Sequence, residues 1–324
     1  MSYNILRINK PVGLTPIQCW LQFRSRNFLP DMKAIESQRL PKGAICGKLD
    51  PMAEGELIIL LEKIWPNHLI TSENLPIESI PHSIKGNFGQ VMDSLCNHEK
   101  IYEFGLLIGI STDSDDRLGT IENSSFVGTT KPIDDTIVSQ LKKELLNYAH
   151  TLKEQEYHIL SAKRAQNKEG IGHNLWWWKQ HNRLSEIEIP RHKCLIKEIE
   201  ILEGTSKRAS EISMEYFLNE TLHLLKNNRE NLLDFKVDNI IENWSNHIKA
   251  YTTSTTIAAQ AATILPNSPT NTQSHQPLLT LPIINVRVRV TSGTFIRQIC
   301  RDLIRKTGIP MLCTYIDRKQ VLIV

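Results

Sequence analysis

The sequence predicts an α+β chain, and three observations carry that expectation. The stretch KIYEFGLLIGI (100–110) sets Tyr102, Phe104, Leu106, Ile108 and Ile110 at alternate positions, the pattern of a strand with one apolar face. VRVRVT (286–291) alternates valine with arginine, so a second strand is half buried and carries charge on its open face. Interleaved with these are segments with helical spacing and helix-start signals.

From the N-terminus, ILRI (5–8) reads as a short strand and KPVG (10–13) as a turn. Thr15-Pro16-Ile17-Gln18 then supplies an N-cap, a proline at the first helical position and a glutamine three residues after the cap. A helix of about three turns should follow, with Ile17, Trp20, Leu21 and Arg24 on one face. In KGAICGKLDPMAEGELIILL (42–61), the run Leu57 to Leu61 reads as a buried strand, with Asp50 in a turn just before it. Asp50-Pro51 is sound turn chemistry, and a lone carboxylate there also suits a nucleophile or general base. STDSDDRLG (111–119) reads as an acidic loop. Its acids lack the spacing of a calcium loop, so a solvated turn capped by aspartate side chains is favoured over a cation site.

Residues 136 to 153 look helical through Ile137, Leu141, Leu145 and Leu152. In 161–183, Lys163, Arg164, Lys168, Lys179 and Arg183 meet one acid, Glu169, around Trp176-Trp177-Trp178. Such a mixture suits phosphate neutralisation and base stacking, while any single tryptophan could equally be core. Three adjacent rings cannot all face one way, so at least one should lie at a surface. Residues 205–250 are mixed in charge and expected to be helical; 251–280 contain no Asp, Glu, Lys or Arg, and their later part reads as a loop or linker. After the 286–291 strand, Ser292-Gly293-Thr294 turns into a helix with Ile296, Ile299, Cys300 and Leu303 inward. Arg297, Arg301 and Arg305 recur every four residues as one basic face, ordinarily a solvated one. Arg297 stands apart, in the first turn and near the sheet edge.

The 324 residues, 40% hydrophobic and 23% charged, are the composition of a folded globular chain. No apolar run is long enough for a membrane helix, and MSYNILRINKPVG has no secretory or transit character. Six scattered cysteines without a C-x-x-C pair suggest neither zinc nor a disulfide framework. A cytoplasmic, metal-free protein is expected. A net charge of +3 permits a polyanionic partner without requiring one.

Four segments together resemble the TruB-type tRNA pseudouridine synthases. INKPVGLTP is similar to that family's opening turn and helix, and CGKLDPMAEGELII to its Gly-x-Leu-Asp-Pro-x-Ala-x-Gly-x-Leu motif. KIYEFGLLIGISTDSDDRLGTI resembles its Lys-x-Tyr strand and acidic loop, and VTSGTFIRQICRDL its Gly-Thr-Tyr-Ile-Arg helix. The clear match covers about a quarter of the residues.

The resemblance implies a pseudouridine synthase fold, a mixed and mostly antiparallel central sheet with surrounding helices and a catalytic cleft. It implies one catalytic domain over 1–324, an RNA-gripping thumb at about 155–187 anchored by Ser161-Ala162-Lys163, and an insertion at about 205–280. It makes Asp50 the catalytic aspartate, Tyr102 the ring that stacks on the target base, and Arg297 the arginine paired with the aspartate. Lys10, Phe295 and Ile316 would shape the substrate site, and Lys163, Arg164, Trp177 and Lys179 would bind RNA. The implied reaction is isomerisation of the T-loop uridine (position 55) of tRNA by a monomer. Alternatives are a synthase for another RNA, or a non-catalytic RNA-binding or RNA-folding protein. An aspartyl phosphotransferase using Asp113 or Asp115 is disfavoured, since no glycine-rich phosphate loop is present.

Departures from the pattern are Ile45, where the family has a histidine associated with base flipping, and Phe295 for its tyrosine. Tyr157 and His158 stand where the thumb usually has prolines, and no C-terminal PUA domain is expected.

Overall fold

The computed structural model describes residues 1–28, 42–62, 82–124, 133–150, 152–161, 163–204, 209–263 and 279–323. Its strands are β1 (Ser2–Lys10), β2 (Gly43–Cys46), β3 (Ala53–Leu61), β4 (His82–Lys85), β5 (Lys100–Ile108), β6 (Ile110–Thr112) and β7 (Ile121–Ser124), then β8 (Leu152–Glu156), β9 (Arg164–Gln166), β10 (Gly172–Asn174), β11 (Arg191–Leu202), β12 (Glu211–Ser213), β13 (Thr280–Val290) and β14 (Met311–Val321). The helices are α1 (Pro16–Asn27), α2 (Phe88–Asn97), α3 (Asp135–Leu146), α4 (Leu175–Gln180), α5 (Met214–Asn227), α6 (Val237–Thr263) and α7 (Ile296–Thr307). The chain is α+β, with a mixed, mostly antiparallel central sheet.

That sheet runs β4-β1-β3-β14-β5-β13-β11-β8, with β2 also on β3 and β12 also on β13. Among the described residues, only the β14–β3 pairing of this sheet is parallel; Ile316 lies opposite Ala53 and Arg318 opposite Gly55. β14 therefore sits between the strand that follows Asp50 and the strand that carries Tyr102, where Arg318 is in register with Tyr102. Gly55 has φ +108, and a β-carbon there would stand 2.3 Å from the Arg318 carbonyl oxygen. Only glycine permits this approach of β3 to β14.

Successive side chains of β5 serve opposite faces. Tyr102, Phe104, Leu106 and Ile108 join Val286, Val288 and Val290 beneath α3 and α7. Leu107 joins Phe217, Leu281, Leu312 and Trp244 beneath α5 and α6. Ile110 departs from the expected alternation: Gly109, at φ +114, bends the chain between β5 and β6, and Ile110 packs with Leu107.

α1 begins as expected, with Thr15 and Gln18 completing a capping box. Its buried face differs from the expected stripe. Cys19 and Trp20 pack on β1 and β3, while Ile17 and Leu21 are exposed. α3 ends at Leu146, and Leu152 stands exposed on the edge strand β8. The helical expectation for 205–250 holds through α5 and α6, and α6 continues to Thr263. The expected linker falls on residues 264–278, outside the described residues.

Candidate active site

Asp50 is presented by a bolted turn. Its carbonyl accepts the Ala53 N–H at 3.1 Å, and the Pro51 carbonyl accepts the Gly13 N–H at 2.9 Å. Lys10 lies fully buried beneath, its Nζ donating to the carbonyls of Pro11 (2.9 Å) and Pro51 (3.2 Å). Burial pushes that ammonium down to about 8. From β14, the buried Arg318 donates Nε to the Glu56 carbonyl (2.6 Å) and Nη2 to that of Gly47 (3.0 Å). Cations from two strands thus hold the loop through its backbone and leave the Asp50 carboxylate about a quarter exposed, at 26%.

Arg297 reaches that carboxylate from the first turn of α7. Its Nε donates to Asp50 Oδ2 at 2.9 Å, and its Nη1 donates to the Ser114 carbonyl at 3.0 Å and lies 3.6 Å from Asp116 Oδ2. The guanidinium is only 4% exposed. Burial opposes its charge, but Asp50 and Asp116 prevail and hold it protonated. Asp116 accepts from Ser114 Oγ (2.6 Å) and the Leu118 N–H (2.8 Å). Burial raises its carboxyl to about 6 against the pull of Arg297.

The acidic loop is a turn, as expected, but not a solvated one: Ser114, Asp115 and Asp116 are all buried. Asp115, at φ +58, accepts from Arg301 Nε at 2.6 Å and meets His158 Nε2 at 2.9 Å through the same oxygen. Because His158 Nδ1 accepts the Leu160 N–H at 3.1 Å, the ring proton lies on Nε2 and is donated to Asp115. Burial, with Arg297 next, pushes that imidazole down to about 4. The arginine face of α7 is likewise not a solvated stripe. Arg297 and Arg301 enter this network, and Arg305 alone of the three is largely exposed, 58%, 3.6 Å from Glu156. Their partners come from a distant loop, which helical spacing does not reveal.

A cavity of about 770 Å³ opens over Asp50. Tyr102, Phe295, Ile316, Lys163 and Arg164 line it together with Asp50. Lys10 and Arg297 stand behind this lining and act through the turn and the carboxylate. Trp177 and Lys179 are not among the lining residues; Trp176 is. Both faces of Trp177 are covered, by His173 at 3.7 Å and His181 at 4.0 Å, in nearly parallel stacks. Trp178 is fully buried and donates Nε1 to the Ala165 carbonyl. Of the three tryptophans, the one turned to the cavity could not be chosen from sequence, because the answer depends on the rotation of the short helix α4. Phe295 packs its ring against Tyr157 (5.2 Å) and lines the cavity beside it. Ala162 lies outside the described residues.

Sequence reasoning missed Arg318, His158 and Phe235. Arg318 and His158 act on backbone carbonyls and on a buried aspartate, and neither role leaves a local signature. Among the described residues no cluster of three or more His, Cys, Asp or Glu side chains could hold a metal ion. No helix there is long and apolar enough to cross a membrane.

No family model and no curated protein matches the chain. The chain is similar to one in a solved Cbf5-Nop10-Gar1 complex, at 11% identity and TM-score 0.40 over 98% of its own length. It is also similar to one in a solved H/ACA RNP bound to a substrate RNA containing 2'-deoxyuridine, at 10% identity and TM-score 0.38 over 98%. It spans about half of those chains, 48% and 47%. At that identity and score the likeness carries no information about chemistry.

Proposed function

We propose that the protein is an RNA pseudouridine synthase whose catalytic group is Asp50 and whose substrate is the T-loop uridine (position 55) of tRNA. The observation that supports this best is the Asp50–Arg297 pair, 2.9 Å apart at the cavity that Tyr102 also lines. The isomerisation breaks the N1–C1′ bond, turns the base, joins C5 to C1′ and moves a proton from C5 to N1. It is neither a redox step nor a net hydrolysis, so a carboxylate and a pocket for the detached uracil meet its needs. Asp50 attacks or deprotonates the ribose, or attacks the base. Arg297 pairs with the carboxylate and orients it beside apolar walls formed by Leu49, Ala53 and Ile316. Tyr102 stacks on the uracil and places its hydroxyl for the proton step. A base must leave its stack to reach Asp50, so base flipping is part of the reading.

In this reading the chain acts as a cytoplasmic monomer without metal or cofactor. Residues 155–187 are its thumb, and 205–280 an insertion into a single catalytic domain. Purified protein is incubated with unmodified tRNA and with rRNA fragments, and pseudouridine is mapped by carbodiimide modification and primer extension. Product at the T-loop uridine, lost in Asp50→Asn, is expected. Product only in rRNA would move the substrate and keep the chemistry; an active Asn variant would overturn the mechanism.

A further inference from the structure

The segment 205–280 lies outside every motif of the resemblance, yet it reaches the cavity. Between α5 and α6 the chain makes a 3-10 turn, Arg229–Phe235, which ends at Lys236 in the left-handed region with φ +56. Three contacts seat this turn. Asn228, just before it, packs on Gly13, where a β-carbon would come within 2.0 Å of Asn228 Oδ1. Gln18 of α1 donates Nε2 to the Asn231 carbonyl at 3.1 Å. Gln180 of α4 donates Nε2 to the Asp234 carbonyl at 3.2 Å. The turn therefore spans from the loop that bolts Asp50 to the tryptophan helix. Phe235, anchored on the α5–α6 core, lines the same cavity as Trp176.

We infer that Trp176 and Phe235 together form a second base-binding position in this cavity, which stacks a nucleobase neighbouring the one isomerised at Asp50. The inference rests on the RNA reading proposed above and deepens it. Two aromatic surfaces beside the exposed cations Lys163 and Arg164 match the two chemistries of single-stranded RNA, π-faces and phosphates. Tyr102 has its own place on β5, across from Arg318, and serves the target base. The cavity rings of Tyr157 and Phe295 pack on each other and on His192, which makes them wall. A neighbouring base held by Trp176 and Phe235 keeps the strand splayed while the target occupies the Asp50 pocket. The segment 205–280 thereby supplies a grip on the strand beside the Asp50 pocket.

The test uses the full chain carrying Asp50→Asn, so that binding is read without turnover. Fluorescence anisotropy measures its affinity for a labelled T-stem-loop RNA, and for the same RNA made abasic in turn at each nucleotide flanking the target uridine. Trp176→Ala and Phe235→Leu are each expected to weaken binding by about five- to a hundredfold, the scale of losing one base–aromatic stack. Trp176→Phe and Phe235→Tyr should stay within about threefold of the parent, which separates stacking from misfolding. At one abasic position the cost of both substitutions should vanish. Variants that bind as the parent does, or that lose the same factor with every abasic RNA, would overturn the second position. The activity reading fails separately. Wild type that yields no pseudouridine while these losses persist would sink the isomerase and leave the stacking. Normal product from Trp176→Ala and Phe235→Leu at parental affinity would do the reverse.

Discussion

Two sets of arginine–carboxylate pairs, close in sequence, have opposite physical characters. On β13, Arg287 meets Glu103 and Glu200, and Arg289 meets Glu99 and Glu198, across the open face of the sheet. On α7, Arg297 meets Asp50 and Asp116, and Arg301 meets Asp115. In the first set only Glu103 is buried; Arg287 is 47% exposed and Glu198 and Glu200 more so, and water screens these open contacts. In the second, Asp115, Asp116 and Arg297 are withdrawn from water; Asp115 meets Arg301 and His158, and Asp116 accepts from Ser114 Oγ and the Leu118 N–H. A buried charge is costly unless it is paired and hydrogen bonded, so this arrangement is not interchangeable with a surface ladder. Charge pairing alone therefore marks nothing; the combination of burial and one partly exposed member, Asp50, marks the site.

The comparison is broken most sharply at Asp50. Asp50→Asn should abolish product by several orders of magnitude with the fold intact, read by single-turnover pseudouridine mapping and circular dichroism. Next, Arg297→Lys should lower the single-turnover rate by about a hundredfold with modest loss of RNA affinity. An ammonium cannot donate at once to Asp50 and to the Ser114 carbonyl in the planar geometry of a guanidinium. A large loss of affinity at an unchanged rate would place Arg297 with the RNA-binding cations instead.

A smaller effect is expected from acid. His158 is held near 4, below its ordinary 6.5, so between those values the unfolded chain takes up a proton that the folded chain refuses. This lowers stability as the pH falls through that window. Asp116 is held near 6, above its ordinary 3.8, so the folded chain takes up its proton first and gains stability as the pH falls from 6 to 3.8. The two contributions oppose each other. Asp116→Asn should therefore steepen the loss of stability between pH 6.5 and 4, measured as urea midpoints across that range; an unchanged slope would break the linkage. The smallest effect is expected on the ladder. Arg289→Gln should leave activity unchanged and the urea midpoint nearly so, and its slight effect should disappear in high salt.

The legible parts of the fold were those whose signals are local. The capping box at Thr15 and Gln18, the alternation in β5 and β13, and the inward residues of α7 depend on neighbours a few positions away. In α1, Ile17 and Leu21 obey helical spacing but are exposed, and Cys19 and Trp20 form the buried face, which spacing alone does not select. Leu152 failed because the chain leaves α3 at Leu146 and re-enters the sheet edge. Motif order singles out Asp50, Tyr102 and Arg297, but their geometry is set by contacts between remote segments and is not legible in it. The acidic loop read as solvated because its partners, Arg297, Arg301 and His158, lie far along the chain.

By itself the sequence determined which groups are present: one carboxylate in a rigid turn, an aromatic on a buried strand, and an arginine at the start of a helix. Their identities are covalent facts, and the turn and strand follow from nearest-neighbour sterics. Only the tertiary structure decided which acids are withdrawn from water, which of three tryptophans faces the cavity, and that Phe235 from a distant segment shares it. Burial and proximity between remote segments are properties of the packed sheet, set by the parallel seat of β14 against β3 and by the seating of α5 and α6 on the opposite face.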